Sequence, residues 1–319
     1  MIRENLSGKR IAITGSTGFL GTALVERFLR SVPDCELVLL VRPGRRGAEH
    51  RVKRDILKND AFDRLRDAFK EDPIAAGGLD GETFDEMCDR RVFAVKGDVG
   101  QDGLGLDDAG LTLFSTVDIA VHSAATVSFD SALDDAVQVN LLGPGRVAAA
   151  LRVAAEARTE PTPGGLAPGE KAYLVAVSTC YVAGSRRGNA PEQMVQDSPF
   201  FVDVDWRAEA HNAFQARKDA EQASRTPQRL KALEADAIKT LGAAGTPAIA
   251  ERVESLRQKW VGEQMTQTGR VRAASLGFPD AYAFTKALGE RSLVETRDGV
   301  PVAIVRPSII ESALAEPVP

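Results

Sequence analysis

The sequence predicts an α/β fold, a doubly wound parallel sheet of the Rossmann type with a large helical insertion. Three observations carry that expectation. Six short β-rich or continuously apolar runs are spread along the chain, and helical spacing fills the stretches between them. A glycine-rich turn joins the first run to the first helix. A parallel strand covered on both faces reads as an uninterrupted apolar run, as Leu37-Val38-Leu39-Leu40-Val41 does.

The first run is Arg10–Thr14. After Gly15–Gly21, helical spacing over Thr22–Leu29 puts Leu24, Val25, Phe28 and Leu29 on one side. Leu37–Val41 is the second run, Arg91–Val95 the third, Val117–Val121 the fourth, Lys171–Val177 the fifth and Val302–Val305 the sixth. Two segments interrupt the rhythm. From about Glu49 to Asp89 a charge-rich helical pattern (Val52, Ile56, Leu57, Phe62, Leu65, Phe69) is longer than a simple crossover. Residues 185–279 form the larger one, a mostly helical insertion starting near Asp205-Trp206. Within it Thr226-Pro227 and Thr246-Pro247 each read as an N-cap followed by proline at the first helical position. Leu230, Leu233, Ile238 and Leu241 follow the first, and Ile249, Val253, Leu256 and Trp260 the second. A solvated cap over the sheet and a substrate-contacting role both fit this insertion. Pro161–Gly169 is a surface loop entering the fifth strand.

Composition narrows the function classes. With 44% hydrophobic and 27% charged residues in 319, the chain is neither disordered nor fibrous. Its net charge of -5 gives no global basic footprint for nucleic acid. No apolar run approaches the ~20 residues of a membrane span, although contact with a membrane surface stays open. Met1–Arg10 lacks the apolar core of a signal peptide, so a cytoplasmic protein is expected. Three cysteines (Cys35, Cys88, Cys180) and three histidines (His50, His122, His211) lie too far apart for a disulfide framework or a metal site. Oligomeric state is not legible.

Gly15-x-x-Gly18-x-x-Gly21 follows a predicted strand and opens a predicted helix, the context that makes such a pattern informative. The first glycine permits a tight turn, the second lets the backbone approach a pyrophosphate, and the third lets the helix pack closely on the strand. The helix start adds free N–H donors and a favourable dipole. Gly15, Ser16, Thr17, Gly18, Phe19, Leu20 and Gly21 are therefore expected around the diphosphate of a dinucleotide; a purely structural turn is the alternative. The spacing resembles that of short-chain dehydrogenases/reductases.

An NAD-binding chain usually ends its second strand with an acid for the ribose 2′-OH. Here the strand ends Val41-Arg42-Pro43-Gly44-Arg45-Arg46, with no acid before Glu49. Arginine suits a 2′-phosphate, which favours NADPH (NADP). Arg42 sits directly off the strand, and Arg51 at the next helix is expected to point back to the same phosphate. Arg45 and Arg46 read as a solvated loop. Asp98, with Val99, follows the third strand, where an acid can accept from the adenine amino group; a turn or capping role is the alternative. Ala124, Ala125 and Thr126 follow the fourth strand, where small side chains let the backbone pack against the cofactor. His122 reads as a packing residue.

Tyr282-Ala283-Phe284-Thr285-Lys286 lies in a helical segment, so Tyr282 and Lys286 share a face. A tyrosine pKa near 10 is too high for easy proton exchange at neutral pH. A neighbouring ammonium, with the oxidised nicotinamide, favours the phenolate, so Tyr282 suits a general acid. Ser178–Gly184 ends the fifth strand, and its spacing from Gly184 selects Thr179 over Ser178 as the hydroxyl for the substrate oxygen. Cys180 has no base beside it in sequence and reads as a buried packing cysteine.

Thr14–Gly21, His122–Thr126, Val139-Asn140, Ser178–Gly184 and Tyr282–Lys286 together resemble an extended short-chain dehydrogenase/reductase. Tyr282–Glu290, Arg306–Ala313 and Glu316-Pro317, with the long charged insertion before Tyr282, resemble the fatty acyl-CoA reductases, particularly actinobacterial ones. That resemblance covers nearly the whole chain and implies NADPH-dependent reduction of a long-chain acyl-CoA thioester to aldehyde or fatty alcohol. It implies Thr179, Tyr282 and Lys286 as the catalytic triad, with Tyr282 and Lys286 also on the cofactor. Pro307, Ser308 and Ile309 would line the nicotinamide side, and Asn140 would hold Lys286 directly or through water. Family members continue with a C-terminal portion that completes the sheet and much of the acyl-binding region. The chain, which stops at Pro319, is therefore expected to be an N-terminal catalytic portion with a nearly complete cofactor site. A carrier-protein-linked thioester reductase domain is the nearest rival. A sugar-nucleotide epimerase would normally keep NAD, against the Arg42 ending, and a non-catalytic NADP sensor commonly loses the Tyr/Lys pair that stands here.

Overall fold

A computed structural model describes residues 2–242 and 246–311. In chain order its helices and strands are α1 Ile2–Leu6, β1 Arg10–Thr14, α2 Phe19–Ser31, β2 Glu36–Val41, α3 Ala48–Arg51, α4 Asp63–Glu71, α5 Phe84–Arg91, β3 Val92–Lys96, α6 Asp108–Phe114, β4 Ile119–His122, α7 Leu133–Ala136, α8 Gly143–Ala157 and β5 Tyr173–Val177. There follow α9 Trp206–Ser224, α10 Pro227–Leu241, α11 Thr246–Ser275, α12 Ala281–Thr296 and β6 Val302–Val305. The chain forms two compact units. One holds the described residues through Ala125, then Leu142–Cys180 and those from Ser292; the other holds Thr126–Leu141 and Tyr181–Arg291.

The first unit is built on six parallel strands in the order β3-β2-β1-β4-β5-β6. The order reverses between β1 and β4, the topological switch at whose carboxyl ends α/β sheets bind ligands. All six expected strands form, and three start later than the apolar pattern suggested. Arg91 ends α5 rather than opening β3. Its buried guanidinium donates to the carbonyls of Leu29 (3.0 Å), Val32 (2.6 Å) and Cys35 (3.0 Å), filling the C-terminal end of α2. Before β4, the Asp118 carboxylate accepts from the backbone N–H of Arg10 (2.8 Å) and Gly164 (3.0 Å). Before β5, Lys171 Nζ donates to the carbonyl of Asp298 at 2.6 Å.

The charge-rich segment from Glu49 to Asp89 buries its expected apolar set, Val52, Ile56, Leu57, Phe62, Leu65 and Phe69, in the same core as Ile11, Ile13, Leu37 and Leu39. It is not one regular helix. A π-helical turn, Val52–Leu57, is followed by α4 and then by α5, whose start is fixed by a reciprocal cap between Thr83 and Glu86.

The second unit carries the helices expected between 185 and 279. Asp205 caps α9 by accepting from Arg207 N–H at 2.9 Å. Thr226 precedes Pro227 as expected, but its hydroxyl donates back to Ala223 O (3.0 Å) instead of capping α10. The Thr246 side chain, the second expected cap, lies outside the described residues. Of the apolar set on α10, Leu233 is buried while Leu230, Ile238 and Leu241 are exposed, so only part of that face meets a neighbour. Polar contacts also join α11 to α9. Arg257 on α11 is buried and binds Glu254 (2.7 Å), Ser224 (2.9 Å) and Glu221, and Arg272 binds Glu209 (Nε to Oε2, 2.9 Å).

Candidate functional site

In the first unit the candidate residues gather at the carboxyl ends of the strands. After β1 the chain turns at Gly15 with φ +74°. A Cβ there would stand 2.5 Å from Ala124 N, so the close approach of the β1 and β4 ends requires glycine. A Cβ on Gly21 would stand 2.1 Å from Gly15 O. The third glycine therefore seats α2 on the turn itself, rather than on the strand as its spacing suggested. Helix α2 begins at Phe19 with Gly18 as N-cap, three residues earlier than the periodicity suggested. Phe19, Leu20 and Gly21 thus belong to the first helical turn, whose N–H groups have no intrahelical acceptor. Thr17 and Gly18 are exposed above it.

Two buried hydroxyls at this edge lack a hydrogen-bond partner among the described residues: Ser16 Oγ in the turn after β1, and Ser178 Oγ after β5. Buried polar atoms are normally satisfied. An unsatisfied serine inside a glycine turn at a helix N-terminus fits a diphosphate, which accepts from hydroxyl and N–H alike. The residues present therefore fit the dinucleotide that the spacing suggested.

At the end of β2, Arg42, Arg45 and Arg46 are exposed. The Arg51 guanidinium is partly engaged: Nη1 donates to Arg42 O at 2.6 Å and Nε lies 3.5 Å from Asp55. Asp98 forms the turn that the sequence left as an alternative to adenine binding. Its Oδ1 accepts from Gly100 N–H at 2.8 Å and its own N–H donates to Leu104 O, with Val99 buried beside it. After β4, Ala124 N–H donates to Thr14 Oγ1 at 3.3 Å, and His122 Nδ1 lies 2.8 Å from the same hydroxyl. His122 is buried, the packing position expected of it.

Thr179 is buried at the end of β5. Cys180 is exposed, contrary to the buried cysteine expected: the strand has ended, and Cys180 opens a short 3-10 turn, its N–H donating to Pro307 O at 3.0 Å. Pro307 is thereby tied to the residue after Thr179. Ser308 and Ile309 are exposed, and the later part of that motif, Ser312 onward, lies outside the described residues.

In the second unit, α12 carries Tyr282 and Lys286 one turn apart. Asp280 Oδ1 accepts from Ala283 N–H at 2.8 Å and fixes the helix start. Lys286 is buried to 4% exposure. Burial pulls its pKa down to about 8, and Glu290 one turn on pulls the other way. Tyr282 is half-buried, with the Phe129 ring edge-on at 6.1 Å. The Asn140 side chain holds Thr126 and Thr285. Its Oδ1 accepts from Thr126 N–H (2.9 Å), and its Nδ2 donates to Thr126 O (2.9 Å) and Thr285 Oγ1 (3.3 Å). Thr126 is thus anchored to the residue before Lys286. A Cβ on Gly289 would stand 2.1 Å from Asn140 O, so α12 meets the π-helical turn Val137–Leu141 at contact distance.

Asp280, Phe129, Thr285 and Gly289 were missed by the sequence reading. Pro279-Asp280 ahead of a helical run was a legible cap signal; the other three depend on which loop meets α12.

Among the described residues, no group of three or more His, Cys, Asp or Glu could hold a metal ion, and no helix is long and apolar enough to cross a membrane. A family model for an NAD-binding domain, described as male sterility protein, matches residues 13–319. The chloroplastic fatty acyl-CoA reductase 2 of Arabidopsis thaliana is 28% identical over 317 residues, covering 98% of this chain and 43% of the relative. The alcohol-forming fatty acyl-CoA reductase of Simmondsia chinensis is 27% identical, covering 100% of this chain and 55% of the relative. The chain thus spans about half the length of the curated relatives it matches. Among solved structures, the terminal R domain from the myxalamid PKS-NRPS biosynthetic pathway is 18% identical with a TM-score of 0.49, over 95% of this chain and 49% of that one.

Proposed function

The chain belongs to the male sterility protein family, and on that premise we propose that it is the reductase portion of an NADPH-dependent fatty acyl-CoA reductase. The observation that carries this reading is Lys286, an ammonium buried to 4% exposure one helical turn after a half-buried tyrosine. Burying a cation costs free energy, and a buried titratable group beside a tyrosine supports a functional site here.

Gly15–Gly21 would hold the diphosphate, with Ser16 Oγ as one donor. Arg42 would take the 2′-phosphate, Val99, Ala124, Ala125 and Thr126 would border the adenosine and diphosphate, and Pro307, Ser308 and Ile309 would border the nicotinamide. The bound cofactor supplies a hydride. Thr179 and Tyr282 would donate hydrogen bonds to the thioester oxygen as it gains charge. Tyr282 would give up its phenolic proton to that oxygen. Lys286 would stabilise the resulting phenolate and hold the ribose. The hemithioacetal then loses CoA thiol to leave an aldehyde, and a second reduction would give an alcohol.

The test is NADPH consumption by the purified protein with palmitoyl-CoA, with thiol release and the organic product identified by mass. Hexadecanal or hexadecanol formed in proportion to NADPH lost supports the reading. NADPH binding without any acyl reduction by the full-length protein overturns it.

A further inference from the structure

The stretch from Arg42 to Asp55 is built as a closed loop. β2 delivers Arg42, and Gly44 and Gly47 pair as an antiparallel bridge. Gly47 adopts φ +90°, a conformation L side chains rarely take. α3 follows, and the π-helical turn Val52–Leu57 sinks Val52 and Ile56 into the core. Arg51, on the last turn of α3, is thus anchored by the residue after it. Its guanidinium reaches back across the loop to Arg42 O at 2.6 Å, while Nε faces Asp55 Oδ2 at 3.5 Å. Asp55 Oδ1 also accepts from Arg54 at 2.5 Å.

We propose that Arg51 is a positioning residue for cofactor choice: by clamping the Arg42 carbonyl it sets the direction in which the Arg42 side chain meets a ribose 2′-phosphate. This rests on the NADPH reading. The carbonyl and the side chain of Arg42 leave adjacent backbone atoms, so fixing one restricts the rotamers open to the other. A guanidinium recognises phosphate through a planar fork, whose benefit depends on orientation. Without the clamp, Arg42 keeps its charge and loses its aim.

The experiment measures dissociation constants of NADPH and NADH by fluorescence and takes their ratio, in the parent protein, Arg51→Met, Arg42→Ala and the double variant. A merely structural role for Arg51 would weaken both cofactors alike and leave the ratio unmoved. The parent should favour NADPH by at least about tenfold, and Arg51→Met and Arg42→Ala should each bring the ratio to within about threefold of unity. In the Arg42→Ala background, Arg51→Met should change the ratio by less than about twofold, because an effect transmitted through Arg42 disappears with it. Arg51→Lys, which keeps a donor for the carbonyl, should restore much of the preference. An unchanged ratio in Arg51→Met overturns the proposal. An equal drop in both backgrounds overturns it too, and makes Arg51 a direct phosphate ligand. A parent protein that binds both cofactors equally sinks the NADPH reading itself and this proposal with it.

Discussion

Replacing Lys286 by methionine removes the charged amine and keeps an unbranched apolar side chain, which makes it the cleanest probe of the buried ammonium. The lysine titrates at about 8 in the folded protein against an ordinary 10.5. Below pH 8 the amine is protonated in folded and unfolded states alike, so its titration adds no pH dependence. Between the two values the unfolded chain still holds a proton that the folded protein has released, so stability rises with pH. Above the upper value the effect is complete, and the whole span is worth about 3 kcal/mol. By pH 10 most of that is realised. The parent protein should therefore gain on Lys286→Met by roughly 2 to 3 kcal/mol between pH 7 and pH 10. The assay is urea unfolding of both proteins, without cofactor, at unit pH intervals. Taking the difference cancels the groups that Lys286 does not influence, and running the pair in a Tyr282→Phe background removes the phenol that titrates in the same range. A difference that stays flat over this range would refute the argument that burial holds the ammonium against its preference.

Tyr282→Phe should retain cofactor affinity and lose acyl reduction by at least about a hundredfold, the ordinary worth of a positioned general acid; Cys180→Ser should keep substantial activity, and an acyl adduct trapped on Cys180 would contradict the tyrosine-based scheme. Gly21→Ala should weaken binding of NADPH and NADH together, because a Cβ 2.1 Å from Gly15 O forces the phosphate turn open; titration with both cofactors checks it. Arg91→Met should destabilise the fold by about 3 kcal/mol, since three buried carbonyls lose their donor; denaturant midpoints of the two proteins measure it.

Strands and glycine turn were legible because each is written in contiguous residues. Leu37–Val41 can be little other than a covered parallel strand, and Gly15-x-x-Gly18-x-x-Gly21 specifies its own geometry. What the sequence hid was set by partners far along the chain. Arg91 looks like the first residue of a strand until the open carbonyls of α2 claim it. Nothing in the sequence around Asn140 announces that its amide serves Thr126 and Thr285. Leu230, Ile238 and Leu241 have the spacing of a buried face, and periodicity carries no information on whether a neighbour covers it. Cys180 reads as a packing cysteine because no base stands beside it in sequence, but it opens the 3-10 turn after β5 and is exposed.

The carboxamide of Asn140 gives Thr126 one donor and one acceptor, the same pair that a strand neighbour would offer. It is in effect a single rung of sheet supplied by a side chain. A peptide group is fixed by the chain on both sides, whereas this one hangs from a rotatable bond and is steadied by its third contact, with Thr285. Thr126 and Thr285 should accordingly behave as one cooperative unit. Substitutions at the two positions would be strongly non-additive, and an aspartate at 140 would set a lone pair against the Thr126 carbonyl and unzip the rung as a whole.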